Sequence, residues 1–311
     1  MKLHQKALTT GLVAVALAAV SSLSGQVTPP TAVNAATGDL ILGFWQTNSS
    51  ATGYTSNLEV DLGAYSAYAG YAGSGTLTHF TVTNIGTDLT ATYGNWSSNS
   101  TLLWGAVRAG GGTGGSTPDG VLSKANANPA GGPSTPYDSG FTTVYTGSAA
   151  RLINNKASTL LTLVGGSYNG IKNPAYTGSN ASAAIVPTGN STSWSTTAGV
   201  TGGTSSTTVF GAGVNNADYN IGNFAQTTNF SLVNGYEVAD LYFLKFNAPG
   251  NVTETYVGSL GLGADGTITY ANQATYFAVP EPSTYAVIFG VLAIGFTVFR
   301  RRLDPSAAAK L

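Results

Sequence analysis

The body of the chain consists of short apolar runs that end at Gly, Asn or Ser, and this punctuation restricts it to a β-rich fold. The runs are Leu40–Trp45, Asn57–Leu62, Thr76–Val82, Leu89–Tyr93, Leu102–Val107, Phe141–Tyr145, Thr208–Phe210, Glu237–Phe246, Thr253–Leu260 and Gly266–Tyr270. No internal repeat is visible, which disfavours solenoids and propellers. We therefore predict a mainly β fold, an antiparallel two-sheet sandwich of jelly-roll type with long Gly/Ser/Asn loops.

Local patterns refine this prediction. In the run from 57 to 62, apolar and polar residues alternate, so Leu58, Val60 and Leu62 are predicted to face inward and Glu59 and Asp61 to face solvent. Near-helical spacing predicts one helix over residues 148–163, and Asp265-Gly266 predicts a hairpin turn. The Gly/Pro/Ser-rich stretches 110–136 and 179–203 are predicted to be loops.

Composition excludes several classes of protein. The 311 residues include 12 Lys+Arg, 13 Asp+Glu and no Cys, and only 8% are charged. The absence of Cys excludes disulfide scaffolds, thiol catalysis and Cys-ligated zinc. So few cations also argue against nucleic-acid binding.

The N-terminus has the pattern of a secretory signal. Lys2 and Lys6 precede an uncharged apolar run, and small residues follow it. We predict that residues 1–35 are a signal peptide, with cleavage after Ala35 and a cut near Ser24 as the alternative. The other interpretation is a permanent N-terminal anchor.

The C-terminus has the pattern of a second targeting signal. Pro280-Glu281-Pro282 precedes a charge-free apolar run at 285–299, which is followed by the cluster Arg300, Arg301 and Arg302. A helix of this length spans about 22 Å, and snorkelling arginines together with local thinning can bring it to the ~30 Å of a bilayer core. The arginines place its end in the cytoplasm. The alternative is a buried core helix.

This three-part tail resembles the PEP-CTERM sorting signal, a segment also labelled the ice-binding protein C-terminal domain. The resemblance implies that residues 279–302 form the sorting segment, with Pro280, Glu281 and Pro282 as the processing motif. It implies that Arg300, Arg301 and Arg302 stop transfer, and that residues 303–311 form a cytoplasmic tail. It also implies an exosortase-type membrane protease as a partner, in a bacterium that makes exopolysaccharide.

The body, residues 36–278, is similar to secreted PEP-CTERM proteins of Verrucomicrobia-like bacteria. The residues that carry this likeness are 38–44, 57–63, 103–105, 255–260 and 266–270. That family has no assigned activity, so the likeness implies fold and location alone.

Few residues suggest catalysis. His79 is the one histidine after the predicted signal, and we interpret it as a strand residue with a hydrogen bond. Glu59 and Asp61 are a carboxylate pair of the kind that glycoside hydrolysis uses, and the simpler interpretation is a solvated strand face. We predict no catalytic residue.

Ligand-binding candidates are equally few. Trp96 and Trp194 stand in polar segments and are predicted to be exposed, as candidates for stacking on a sugar, with chance exposure as the simpler interpretation. Trp45 and Trp104 are predicted to lie in the core. Asn216, Asp218 and Asn220 are a weak candidate for calcium, because they lack the glycine and glutamate of an EF-hand loop. No cofactor is predicted.

These observations predict an exported, non-enzymatic surface protein that associates with exopolysaccharide or the cell envelope. It is expected to be anchored by its C-terminal helix until processing, and then to be at the cell surface or outside. The alternatives are a secreted carbohydrate-binding module, a secreted glycan hydrolase using Glu59 and Asp61, and an ice-binding protein suggested by Thr-rich stretches.

Overall fold

The computed structural model describes residues 38–46, 49–99, 101–110, 119–126, 128–133, 165, 169–197, 226–227, 234–247, 251–278, 290 and 292–293. The strands are β1 (Asp39–Gln46), β2 (Ser56–Ala64), β3 (His79–Asn84), β4 (Leu102–Gly110), β5 (Asp119–Ala125), β6 (Ala183–Pro187), β7 (Gln226–Thr227), β8 (Tyr236–Asn247), β9 (Asn251–Gly263) and β10 (Thr267–Ala271). The helices are α1 (Ser66–Ala69), α2 (Gly86–Tyr93) and α3 (Trp194–Thr197), with 3₁₀ turns at Trp96–Ser98, Pro129–Gly131, Pro174–Tyr176 and Ala274–Ala278.

The strands form one antiparallel sheet in the order β3-β10-β9-β8-β5-β4-β1-β2-β6, with β7 paired to β4. The prediction of a mainly antiparallel β fold is confirmed. The predicted arrangement in two sheets differs from what is observed, because all strands in the described part of the chain belong to this single sheet.

The sheet is curled. Phe80 and Val82 from the edge strand β3 share one apolar cluster with Ala183 from the opposite edge strand β6. We call the face toward this cluster the inner face and the opposite one the outer face. Leu58, Val60 and Leu62 lie on the inner face with no solvent exposure, as predicted, and each contributes about 1.5–3 kcal/mol by its burial.

Helix α2 and the turn before β6 connect the two edges of the curled sheet. The Asp88 carboxylate on α2 accepts hydrogen bonds from the backbone N–H groups of Ser179 and Asn180, the latter at 2.9 Å. The Asn180 side chain in turn donates to Thr83 Oγ1 at 2.9 Å and to the Asn84 carbonyl at 3.0 Å. Both edges of the sheet are therefore tied together through the turn that precedes β6.

One predicted strand is a helix. The run Leu89–Tyr93 belongs to α2, in which Thr90 Oγ1 donates to the Gly86 carbonyl at 2.8 Å and Thr92 Oγ1 to the Asp88 carbonyl at 2.7 Å. The β-branched threonines made this run look like a strand. Their hydroxyls instead bond the carbonyls four residues back, which suits a helix.

Two strands lie where loops were predicted. β5 falls within 110–136 and β6 within 179–203. Neither shows clear alternation, and each takes its conformation from pairing, β5 with β4 and β8, and β6 with β2. The Asp265-Gly266 turn is confirmed as the β9–β10 hairpin, with Gly266 at φ +84°.

The predicted helix at 148–163 and the predicted strands at 141–145 and 208–210 lie outside the described residues. So do the signal peptide, the processing motif, the arginine cluster and the tail. Of the predicted membrane helix, only Gly290, Leu292 and Ala293 are described. Among the described residues, no helix is both long enough and apolar enough to cross a membrane.

Candidate functional site

Glu59 and Asp61 are buried on the outer face of β2, not solvated. Strand register places Glu59 beside Gly43 and Asp61 beside Ile41 of β1, and both carboxyl side chains have zero exposure. The prediction of a solvated face was wrong because alternation distinguishes two faces but does not reveal whether the second one is covered. Here that face is also packed, as in sheets buried on both sides.

Two pieces of chain flanking β6, residues 169–173 and 190–197, lie over these carboxyl groups, and we call them the cover. The Trp194 indole rests directly on Gly43 and lies 6.3 Å from the Trp45 ring, centroid to centroid. The Ser195 backbone N–H donates to Asn57 Oδ1 at 2.7 Å. Gly170 closes the other side, since a Cβ there would stand 2.6 Å from Glu59 Oε2. The Glu59 carboxyl is thus enclosed by glycine backbone and an indole.

Burial changes the acidity of this pair. Neither carboxyl oxygen of Glu59 has a hydrogen-bond partner within the described structure, and burial raises its pKa well above the usual value, opposed only by the nearby Trp194 backbone N–H. Burial raises the pKa of Asp61 to about 7. The Asp39 carboxyl raises that pKa further, whereas the Gly63 N–H, bonded to Asp61 Oδ1 at 2.8 Å, and the Lys172 charge oppose the rise.

Burial therefore favours the protonated, uncharged form of both carboxyl groups. General acid–base work on a polysaccharide requires a carboxyl group within hydrogen-bond reach of the glycosidic oxygen. With both side chains at zero exposure, the described arrangement gives a polymer no route to either oxygen.

Trp96 and Trp194 do not present aromatic faces. Trp96 is 5% exposed at the start of a 3₁₀ turn, and Trp194 is fully buried at the start of α3. The prediction of exposed rings was wrong because a large indole in a polar segment is the group that such a segment buries to anchor itself. Trp45 and Trp104 are buried, as predicted.

An open groove of about 600 Å³ nevertheless lies beside Trp96. Its lining consists of Asn84, Gly86, Thr87, Thr90, Ala91, Trp96, Ala264 and Asp265. Asn84 Nδ2 donates to Thr267 Oγ1 at 2.8 Å, and that hydroxyl donates to Asp265 Oδ2 at 2.7 Å, so the walls of the groove are braced. Threonine hydroxyls, an amide and a carboxylate are groups that bond the hydroxyls of a sugar.

His79 and the calcium candidates complete the set of predicted site residues. His79 stacks on Tyr276 with ring centroids 4.2 Å apart, and burial lowers its pKa. Asn216, Asp218 and Asn220 lie outside the described residues. Among the residues described, no group of three or more His, Asp or Glu side chains has an arrangement that could hold a metal ion.

One buried polar network escaped the sequence analysis. The Asp240 carboxylate accepts from Ser259 Oγ at 2.5 Å and from Asn126 Nδ2 at 2.8 Å, and Tyr256 Oη bonds Ser259 Oγ at 2.8 Å. These groups come from β8, β9 and the residue after β5, so no local motif marks them. Because the carboxylate is bonded on both oxygens, the network is structural.

No protein-family model, curated protein or solved structure matches this chain.

Proposed function

We propose that this chain is an exported, non-enzymatic surface protein that a membrane protease of the exosortase type processes at Pro280-Glu281-Pro282. Its body then associates with exopolysaccharide or the cell envelope. A helix over 285–299 and the arginines 300–302 hold it in the membrane before cleavage.

The observation that carries this proposal is that the folded elements lie between the predicted signal-peptide cleavage site and the predicted processing motif. β1 begins at Asp39, just after the predicted cleavage at Ala35, and the last 3₁₀ turn of the body ends at Ala278. Pro280 follows two residues later. Cleavage at both sites would therefore leave every strand of the sheet intact.

The motif itself suits a protease. Proline on each side of Glu281 disfavours helix and keeps the peptide extended, as a protease substrate must be. Immediately above a membrane helix, such a segment would hold the scissile bond at a fixed height.

The test is the intact mass and C-terminal peptide of the protein recovered from the producing cells and their medium. We expect a mature chain that ends near Pro280–Ser283 and lacks the arginines. Glu281→Ala should accumulate uncut in the membrane, whereas Asp304→Asn, in the discarded tail, should be processed normally. A wild-type chain that is intact through Leu311 would contradict the proposal.

A second candidate function, carbohydrate binding, is favoured by the open groove beside Trp96. Its lining includes Asn84, Thr87 and Asp265, whose side chains are of the kinds that bond sugar hydroxyls. Co-sedimentation with the producer's own polysaccharide tests it. Asp265→Ala with Thr90→Val should weaken retention at least fivefold, and Lys245→Ala, an exposed change on β8, should not. Equal retention of all three proteins would exclude the groove.

A further inference from the structure

The cover lies over a group that is stable there only while uncharged. Glu59 has zero exposure, no described donor meets hydrogen-bond geometry at either of its carboxyl oxygens, and the Trp194 backbone N–H, which belongs to the cover, is the donor that approaches them. Leaving a buried carboxylate ionised without a hydrogen bond or counter-ion costs several kcal/mol. The group must therefore stay protonated or gain access to water.

The charged and titratable groups around Glu59 offer it little compensation. Asp39 on β1 and Asp61 on β2 are carboxyl groups on the same face, and α2 contributes the buried phenol of Tyr93. β6 and residues 190–197 carry no titratable side chain. The remaining group is Lys172 on the cover, and its side chain is exposed.

The cover is the side of this enclosure that lies outside the strand ladder. β1 and β2 pair with each other and with β4 and β6, and their inner faces form the core. By contrast, the cover pairs with no strand through backbone hydrogen bonds in the described sheet, and its contacts with these strands include the Ser195–Asn57 hydrogen bond, the packing of Trp194 on Gly43 and Trp45, and the approach of Gly170 to Glu59. Water reaches Glu59 most easily if the cover lifts.

We propose that residues 169–173 and 190–197 form a proton-controlled cover, closed while Glu59 is protonated and released when Glu59 ionises. Opening exposes the Trp45–Trp194 pair and the outer face of β1 and β2. This inference is independent of the proposed export and processing.

Hydrogen exchange on the full-length chain at pH 5.5 and pH 8.5 tests the inference, with rates corrected for base-catalysed chemical exchange. We expect protection of peptides in the cover to fall at least tenfold at the higher pH, while peptides from β8 and β9 keep theirs. Glu59→Gln, a neutral isostere, should retain protection at both pH values. Asp119→Asn, at the partly exposed Arg108 pair, should behave as wild type.

Three results would overturn the inference. The first is protection of the cover that does not depend on pH, and the second is a fall in protection in Glu59→Gln equal to that of the wild type. The third is a pH-dependent loss of protection that Asp61→Asn abolishes and Glu59→Gln does not. If Glu59→Gln fails to fold, acrylamide quenching of tryptophan fluorescence in the wild type replaces it. Quenching should rise across the same pH interval and be blunted in Trp194→Phe. Constant quenching would also overturn the inference.

Discussion

Gly43 lies directly beneath the indole ring of Trp194, so close that a side chain at position 43 would overlap the ring atoms. The same glycine is the cross-strand neighbour of Glu59. One absent side chain thus makes room both for the aromatic anchor of the cover and for the buried carboxyl group beside it.

We expect Gly43→Ala to destabilise the protein by about 1–3 kcal/mol, because the added methyl group must displace either Trp194 or the strand. Urea denaturation followed by far-UV circular dichroism measures this. Gly189→Ala, with nothing near its Cβ position and ordinary φ, is the matched control and should be close to neutral. Equal midpoints for the two variants would show that Trp194 does not rest on Gly43.

Asp61 should make the free energy of unfolding fall as pH rises, the reverse of the usual acid behaviour. Its pKa is about 7 in the folded chain against 3.8 as the ordinary value, so the folded state binds more protons between these limits. The contribution is complete below about pH 4 and is lost by about pH 7, to a maximum of about 4 kcal/mol.

Denaturant titrations at pH 4.5 and 7.5 measure this dependence. Asp61→Asn should make it shallower and leave the part that Glu59 contributes, whereas Asp265→Asn, in the exposed β9–β10 turn, should leave it unchanged. A wild-type protein that is more stable at pH 7.5 than at pH 4.5 would contradict the prediction.

Asp88 should be a major stabilising carboxylate. It is 1% exposed and accepts from the backbone of Ser179 and Asn180, so Asp88→Ala removes a buried charged acceptor from two partly buried donors. We expect a loss of about 2–4 kcal/mol. Thr87→Ala, the exposed neighbour on α2, should change stability by less than about 0.5 kcal/mol. Similar unfolding midpoints for both variants would refute the bridging role.

Tyr93 joins the first two strands through its hydroxyl. The oxygen accepts from the Leu58 N–H at 3.0 Å and donates to the Phe44 carbonyl at 2.9 Å. Tyr93→Phe should cost about 1–3 kcal/mol, since both backbone groups are buried. Tyr71→Phe, which loses a hydroxyl near the same core, is the control. Thermal denaturation of the two variants measures this loss. Equal melting temperatures for Tyr93→Phe and Tyr71→Phe would show that the Tyr93 hydroxyl does not stabilise the two strands.

Local patterns predicted much of the sheet correctly. Runs such as 57–62 became strands, and the Asp265-Gly266 pair became a hairpin turn, because alternation and φ > 0 are properties of adjacent residues. Local patterns failed at Leu89–Tyr93, where threonine hydroxyls bond to helix carbonyls, and at β6, whose conformation comes from pairing with β2.

The candidate site was the part least visible in the sequence. Glu59 and Asp61 were identified as a pair, and their environment was predicted incorrectly. Position 43 and position 194 are about 150 residues apart, and no local signal indicates that an indole at one fills the space left by glycine at the other.

The sequence by itself determined that the body is an antiparallel β domain, because strand propensity, alternation and turn residues act over a few neighbouring positions. The tertiary structure alone decided that the strands share one curled sheet and that the outer face of β2 is covered. Burial is a property of what packs against a face, and the residues that cover Glu59 come from more than a hundred positions away.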